Sequence, residues 1–263
     1  MTEMDLRVCD CIEGMREIPS DSVDVVATSP PYNLGIKYKV YDDNKAKAEY
    51  LDWTSLWTNE VRRVLKPEGS FFLNLGGSPT YPMLPHEVIA GVGRSFILQN
   101  TIHWIKSVSI VKDGITTSSG HFKPINSKRF LTDCHEYIFH LTKTGKVVID
   151  RLSVGVPYVD KSNLKRWKHS EGRDIRCRGN TWFVPYKTIK SRDKDRPHPA
   201  TFPKELPAMC FKIHGLREGL VGLDPFLGIG NSALAAQDVG LTKFIGFDID
   251  PFYVEIARQR LTL

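Results

Sequence analysis

Leu220-Val221-Gly222-Leu223-Asp224-Pro225-Phe226-Leu227-Gly228-Ile229-Gly230-Asn231 is an apolar run that breaks into a glycine-bearing turn. Residues 220–224 read as a strand and 231–240 as the helix that follows. A strand that passes into a helix through such a turn is the unit of an open α/β sheet. Such sheets bind ligands at the C-terminal ends of their strands. Gly228 and Gly230 let the backbone approach a ligand without a Cβ clash. The amides at the start of the next helix suit an anionic group. Two glycines alone specify only a tight turn; the whole D-P-F-x-G-x-G string is more specific.

Working outward, Phe244-Ile245-Gly246-Phe247-Asp248 reads as the next strand and 251–261 as a last helix. A carboxylate at the tip of that second strand suits the ribose hydroxyls of a nucleoside ligand. Asp248 holds this position. Asp250 competes for it, but also fits as the N-cap of a helix opened by Pro251. Near the N-terminus, Val23-Asp24-Val25-Val26-Ala27-Thr28 is a β-branched run suited to a buried parallel strand. It ends in Ser29-Pro30-Pro31-Tyr32-Asn33. Consecutive prolines stiffen the backbone. The Ser29 hydroxyl and Pro30 carbonyl offer hydrogen-bond acceptors, and Tyr32 offers a stacking face. A proline-rich turn or a peptide ligand is the plainer account, but the position directly after a buried-type strand disfavours it.

Strand candidates at 6–9, 70–75, 96–105 and 135–141 alternate with helix candidates at 11–18, 50–65, 85–93 and 203–214. Lys66-Pro67-Glu68-Gly69 is expected to end the second helix in a turn. Residues 107–130 read as a long polar connection. Residues 143–197 read as irregular, with short strands at 146–149 and 181–184. The alternation predicts an α/β fold, a parallel sheet covered by helices.

A chain of 263 residues can bury one core and carry an insertion. With 41% hydrophobic and 25% charged residues it reads as globular. No stretch approaches the roughly 18 apolar residues of a membrane span. No secretory signal pattern opens the chain, so the cytoplasm is the expected compartment. Five cysteines without a regular framework (Cys9, Cys11, Cys134, Cys177, Cys210) argue against disulfides and against a metal site; buried thiols are expected. The net charge of +6 is unevenly spread. Residues 143–197 hold 15 Lys/Arg against 6 Asp/Glu, while the rest is slightly acidic. With aromatic residues interleaved, this is the footprint of a polyanion binder.

S-P-P-Y at 29–32 resembles the catalytic loop of enzymes that methylate an exocyclic amino group of a nucleobase, and D-P-F-x-G-x-G at 224–230 resembles their cofactor loop. Catalytic loop first, basic segment next and cofactor loop last resembles the β-class of amino-methylating DNA methyltransferases, the cytosine-N4/adenine-N6 family of restriction–modification type. The resemblance covers nearly the whole chain. It implies a Rossmann-like methyltransferase fold dependent on S-adenosyl-L-methionine (AdoMet): a mixed sheet with helices on both faces and a basic DNA-recognition insertion. Residues 1–142 and 198–263 would form the catalytic domain, and 143–197 the target-recognition region.

The resemblance also implies roles. Asp224, Pro225, Phe226, Gly228, Gly230 and Asn231 belong to the AdoMet loop, and Asp248 to the ribose. Asp10, beside Cys11 in Val8-Cys9-Asp10-Cys11, belongs to the adenine amino group; a helix cap is almost as good an account. Trp53 flanks the adenine or simply packs in the core. Thr28, which leads into the S-P-P-Y loop, belongs with Cys11 to the cofactor site. Phe202, within His198-Pro199-Ala200-Thr201-Phe202-Pro203, lies beside the methionine end. Ser29 and Pro30 accept from the amino group, so that its nitrogen attacks the methyl group in line with the departing sulfur. Pro31 completes the rigid loop, and Tyr32 stacks on a base flipped from the duplex. Serine in the first position goes mostly with cytosine N4, aspartate or asparagine with adenine N6. Carbon-5 methylation needs a nucleophilic cysteine after a proline, and none is present.

Double-stranded DNA is the implied partner, with a homodimer and a cognate restriction endonuclease as further ones, in a bacterial or archaeal cytoplasm. Lys165, Arg166, Lys168, Arg173, Arg176 and Arg178 are the candidate DNA contacts of the insertion, and Lys123 and Arg129 those of the 107–130 connection. Most cations would meet phosphates, and one or two arginines would read guanine edges. Glu136 could be a polar group on the base side; for His135 a buried, hydrogen-bonded histidine is the plainer account. The competing functions are an adenine-N6 enzyme of the same fold, an RNA or protein-amide methyltransferase, and a non-catalytic DNA-binding module.

Overall fold

Val23–Thr28 is buried at every position, as a strand must be when helices cover both faces of its sheet. The computed structural model describes residues 1–120, 122, 126–162, 164, 173–185 and 201–262. In chain order the elements are β1 (Glu3–Val8), α1 (Cys11–Arg16), β2 (Val23–Thr28), α2 (Lys47–Val64), β3 (Leu65–Leu75), α3 (Leu84–Val92), β4 (Ile97–Ile105), β5 (Ser107–Lys112), β6 (Ile115–Gly120), β7 (His135–Thr142), β8 (Thr181–Phe183), α4 (Glu205–His214), β9 (Val221–Asp224), α5 (Asn231–Val239), β10 (Lys243–Asp248) and α6 (Pro251–Leu261).

Eight strands form one sheet in the order β1-β10-β9-β2-β3-β7-β4-β8. β7 alone runs against its neighbours β3 and β4; the other pairs are parallel. Val25, Ala27 and Phe244 share a buried cluster with Phe211 of α4, Ala236 of α5 and Val254 of α6. Val26, Ile245 and Phe247 share the opposite one with Met15 of α1, Trp57 of α2 and Val88 of α3. The sheet is thus mixed and covered by helices on both faces, as expected. From β9 the chain proceeds outward to β10, and from β2 outward the other way to β3. The strand order therefore reverses between β9 and β2, which opens a ligand crevice at their C-terminal ends.

Three local expectations are corrected. Residues 66–69 do not separate α2 from a later strand. β3 starts at Leu65 opposite Val23, and pairing resumes at Ser70 opposite Val25. The excursion lets Lys66 reach the buried Asp24 carboxylate at 2.8 Å, which also takes Arg217. Residues 107–120 are not an irregular connection but the hairpin β5–β6. Asp113 and Gly114 both have positive φ, 52° and 78°, the two-residue turn that suits the twist of a hairpin. Residues 146–149 form no strand: the Gln99 side chain takes the Val147 amide at 3.0 Å and donates to its carbonyl at 2.7 Å. Part of the segment 143–197 is woven into the sheet. β8 pairs with β4, and Trp182 and Val154 join the core.

Away from the loops, the Ser70 hydroxyl bridges His140 Nε2 (3.1 Å) and His214 Nδ1 (3.0 Å). Burial lowers both imidazoles to about 4, helped by the His214 charge facing His140 and the Arg217 charge facing His214. Both are neutral in the folded chain at pH 7. Below about pH 6.5 the unfolded chain gains protons that the folded chain refuses, so stability falls as pH drops towards 4. Each histidine costs about 3 kcal/mol at the bottom of that window. Asp224, pushed up to about 6 by burial, acts in the opposite sense over part of it. The histidine share is therefore read as a difference. Urea midpoints at pH 7.5 and 4.5 should fall less in the His140→Gln, His214→Gln double variant than in the wild type. Equal falls would place the acid sensitivity elsewhere.

Candidate active site

Two loops leave neighbouring strands side by side. Asp224, at the tip of β9, is fully buried. Its carboxylate takes the Thr28 hydroxyl (2.6 Å), the Ser232 hydroxyl (2.5 Å) and the Phe226 amide (2.9 Å). It thereby staples the end of β2 to the loop after β9. Of the expected cofactor residues, Asp224, Thr28 and Gly230 do not reach the cavity. They shape its wall from behind. Gly230 has φ 81°, and a Cβ there would lie 2.7 Å from the Ala257 Cβ, so it serves the packing of α5 on α6.

The cavity, about 270 Å3 in volume, gathers Asp10, Cys11, Trp53, Phe202, Pro225, Phe226, Gly228, Asn231 and Asp248 with Ser29, Pro30, Pro31 and Tyr32. Asp248 accepts the Gly228 amide on Oδ2 (2.9 Å) and the Asp250 amide on Oδ1 (2.8 Å), tying the β9 loop to the β10 loop; burial raises its pKa. Asp250 caps α6 through the Phe252 amide at 2.9 Å. Its other oxygen, Oδ2, is buried with no partner among the described residues. Asp10 caps α1 through the Ile12 amide at 2.8 Å and also lines the cavity wall. Trp53 likewise lines the cavity while packing on Tyr41, Tyr50, Trp57 and Phe226. Asn231 Nδ2 donates to the Phe202 carbonyl at 2.7 Å and holds that residue in the wall.

A covering segment, unforeseen from the sequence, runs from Asn33 to Lys45. The buried Asp43 takes the amides of Asn33, Leu34 and Ile36 at 2.8–3.1 Å. Tyr38 and Tyr41 then face the cavity, and the Lys39 ammonium lies 3.6 Å over the Phe252 ring. The turn-forming Asp42-Asp43-Asn44 was the available signal.

At the other end, the Tyr50 hydroxyl donates to the Pro31 carbonyl at 2.9 Å and fixes the double-proline turn. Ser29 Oγ lies 2.8 Å from the Tyr32 hydroxyl, which donates to Glu136 Oε2 at 3.1 Å. Asn74 Nδ2 donates to the same oxygen at 3.0 Å, and Lys106 Nζ to Oε1 at 3.1 Å. Burial, then the Glu136 charge, hold the Tyr32 phenol well above its ordinary pKa, so it stays protonated. Asn74 and Lys106 carried no sequence signal. His135, expected to be buried, is exposed and packs edge-on to Tyr137. Burial raises the Cys11 and Cys210 thiols, but Cys177 is exposed. Among the described residues there is no disulfide and no metal-ligating cluster.

Of the candidate DNA contacts, Arg129 stacks its guanidinium 5.0 Å over the Phe130 ring. Arg173 and Arg176 are exposed. Arg178 is spent on the Val154 carbonyl at 2.9 Å, which favours a structural use of that side chain. Lys123, Lys165, Arg166 and Lys168 lie outside the described residues, as does the His198-Pro199-Ala200 part of the upstream motif.

A sheet with one reversed strand, and a nucleoside-sized cavity at its switch point beside an S-P-P-Y loop, define the class of AdoMet-dependent DNA methyltransferases. The PvuII DNA methyltransferase (cytosine-N4-specific) superimposes with a TM-score of 0.73 at 20% identity, covering 99% of this chain and 86% of its own. A DNA modification methylase of Thermus thermophilus, complexed with AdoMet, does so with 0.64 at 23%, covering 98% and 93%. The sequence model of the N6/N4 DNA methylases matches residues 23–259, and the chain belongs to this family. It is similar to the type II methyltransferase M.HpaI of Haemophilus parainfluenzae, 28% identical over 98% of this chain and 74% of that protein. It is likewise similar to M.ScaI of Streptomyces caespitosus, 28% identical over 96% and 79%.

The residues present fit AdoMet. A buried carboxylate oxygen on Asp250, orphaned among the described residues, suits a ribose hydroxyl, Trp53 and Phe226 give an aromatic wall, and the glycine turn brings Gly228 to the cavity.

Proposed function

We propose that this chain methylates the N4 amino group of a cytosine flipped out of double-stranded DNA at a specific sequence, with AdoMet as donor. The observation that carries the choice of base is Ser29 in the first position of the S-P-P-Y loop, lining the cavity shared with the cofactor residues. The cytosine-N4 specificity of the PvuII enzyme agrees with it. When bound, AdoMet supplies an electrophilic methyl group on a sulfonium. The chain supplies position and electrostatics. Trp53, Phe226 and Asp250 hold the nucleoside, while Asp248 keeps the two loops together. Ser29 Oγ and the Pro30 carbonyl accept from the amino group, which restores a lone pair otherwise delocalised into the ring. Tyr32 presents its ring face to the base.

Residues 143–197, with Arg173 and Arg176 exposed on it, form the target-recognition region. Arg129 adds a phosphate contact from beyond the β5–β6 hairpin. Likeness to type II methyltransferases supports a restriction–modification setting, and a cognate endonuclease and a homodimer are part of the same proposal. The test incubates the purified protein with AdoMet and unmethylated genomic DNA, followed by nucleoside mass spectrometry. N4-methylcytosine is the expected product. N6-methyladenine would overturn the base and leave the class standing.

A further inference from the structure

Glu136 is a carboxylate in the cavity wall for which the amino-group chemistry above has no use. It projects from β7, the reversed strand, 104 positions from the tyrosine that donates to it. Its side chain is mostly enclosed, and every contact orients it: Asn74 and Tyr32 on Oε2, Lys106 on Oε1. A buried anion here also faces the positive charge that methyl transfer builds on the amino nitrogen. Burying one is costly unless it is paired, and here the pairing is built from three separate elements.

The geometry sets a direction. A phenol has one proton, and that of Tyr32 is given to Glu136. Its oxygen can then only accept from Ser29 Oγ, 2.8 Å away. The Ser29 proton therefore points into the protein, and the serine lone pairs are left for the cavity. A serine hydroxyl with a free rotor would accept or donate equally. This one is held as an acceptor, which is what an exocyclic amino group requires.

We infer that Ser29, Tyr32 and Glu136 form a directed relay, in which Tyr32 and Glu136 hold the Ser29 hydroxyl as an acceptor and Glu136 receives the proton that the amino nitrogen sheds. This deepens the amino-methylation reading and rests on it. Once methylated, the nitrogen bears a positive charge and two protons. One N–H bond breaks and leaves its electron pair on nitrogen. That proton passes to Ser29 Oγ as the Ser29 proton passes to the Tyr32 oxygen and the Tyr32 proton to Glu136 Oε2. The base becomes neutral, the two hydroxyls are restored, and Glu136 ends as the acid, to be discharged later to water. Asn74 and Lys106 are positioning residues that keep the carboxylate facing Tyr32.

Two near-isosteric variants separate the two halves. Glu136→Gln can still accept from Tyr32 but is a far weaker base, so Ser29 keeps its orientation and the relay loses its end. Tyr32→Phe keeps the ring and breaks both. The wild type is first used to map its target sequence. Cofactor-free binding is then compared for duplexes bearing the target base and the same base without its exocyclic amino group. The wild type and Glu136→Gln should prefer the amino-bearing duplex about tenfold, and Tyr32→Phe should show a clearly smaller preference, as one oriented hydrogen bond is weakened while the Pro30 carbonyl still accepts. Single-turnover methylation should fall about 100-fold in Glu136→Gln, in the range of general-base losses. The Tyr32→Phe, Glu136→Gln double variant should be no slower than Tyr32→Phe alone, as expected for parts acting in series. A merely structural role would leave the binding preference untouched and make the losses multiply.

A wild-type rate in Glu136→Gln, or multiplying losses, overturns the relay. An unchanged preference in Tyr32→Phe overturns the orientation of Ser29. A wild type that binds AdoMet and DNA yet methylates no amino group sinks the amino-methylation reading, and the relay with it. An active wild type with an undiminished Glu136→Gln sinks the relay alone.

Discussion

Ser29→Ala lowers single-turnover methyl transfer about 10²–10³-fold, the loss typical of removing one preorganised polar group at the reacting centre, while AdoMet affinity stays within about twofold. The split follows from where Ser29 sits. It lines the cavity next to Tyr32 and takes no part in the hydrogen bonds of the Asp248–Gly228 tie or the Asp250 cap. Alanine removes the acceptor and leaves the double-proline turn in place, because that turn is held by Tyr50 on the Pro31 carbonyl. Tyr32→Ala should be as damaging, since it removes the stacking face and the Ser29 partner together. Rates from rapid-quench methylation and affinities from AdoMet titration check both. Full activity in either variant would remove the S-P-P-Y loop from the chemistry.

Asp248→Ala weakens AdoMet binding about 100-fold with DNA affinity retained. Its carboxylate holds the Gly228 and Asp250 amides at once. Without it two partly buried N–H groups lose their acceptor, at about 1–3 kcal/mol each, and some 1.4 kcal/mol is a tenfold change in affinity. Asp250→Asn is the instructive companion. It can keep the α6 cap but removes the charge from the orphaned oxygen, so it should cost about tenfold, as expected for a charged hydrogen bond to a ribose hydroxyl. Calorimetric titration of AdoMet separates the two. An unchanged Asp248→Ala affinity would mean that the tie is dispensable and that the ribose end depends on Asp250.

The α/β alternation was legible because each element carries its own signal. Val23–Thr28 is apolar apart from Asp24 and the terminal Thr28, and α6 is announced by Asp250 and Pro251. The β5–β6 hairpin was legible too, in Asp113-Gly114, but was masked by the polar composition around it. The absent strand at 146–149 shows the opposite failure. Its β-branched run had the right composition, but a glutamine side chain took the backbone groups that a neighbouring strand would have used.

Capping, turn chemistry and strand period act over a few residues, so Asp10, Asp250, the S-P-P-Y loop and the glycine turn could be placed from the chain alone. Which of them meet could not. Thr28 and Asp224 are 196 positions apart, and Tyr32 and Glu136 104. They touch only because β9 lies beside β2, and β7 beside β3. Strand order results from packing two helical layers over the whole sheet, and no local pattern encodes it. That packing turned Asp224 inward as a staple, left one Asp250 oxygen without a partner among the described residues, and brought Glu136 to the S-P-P-Y loop.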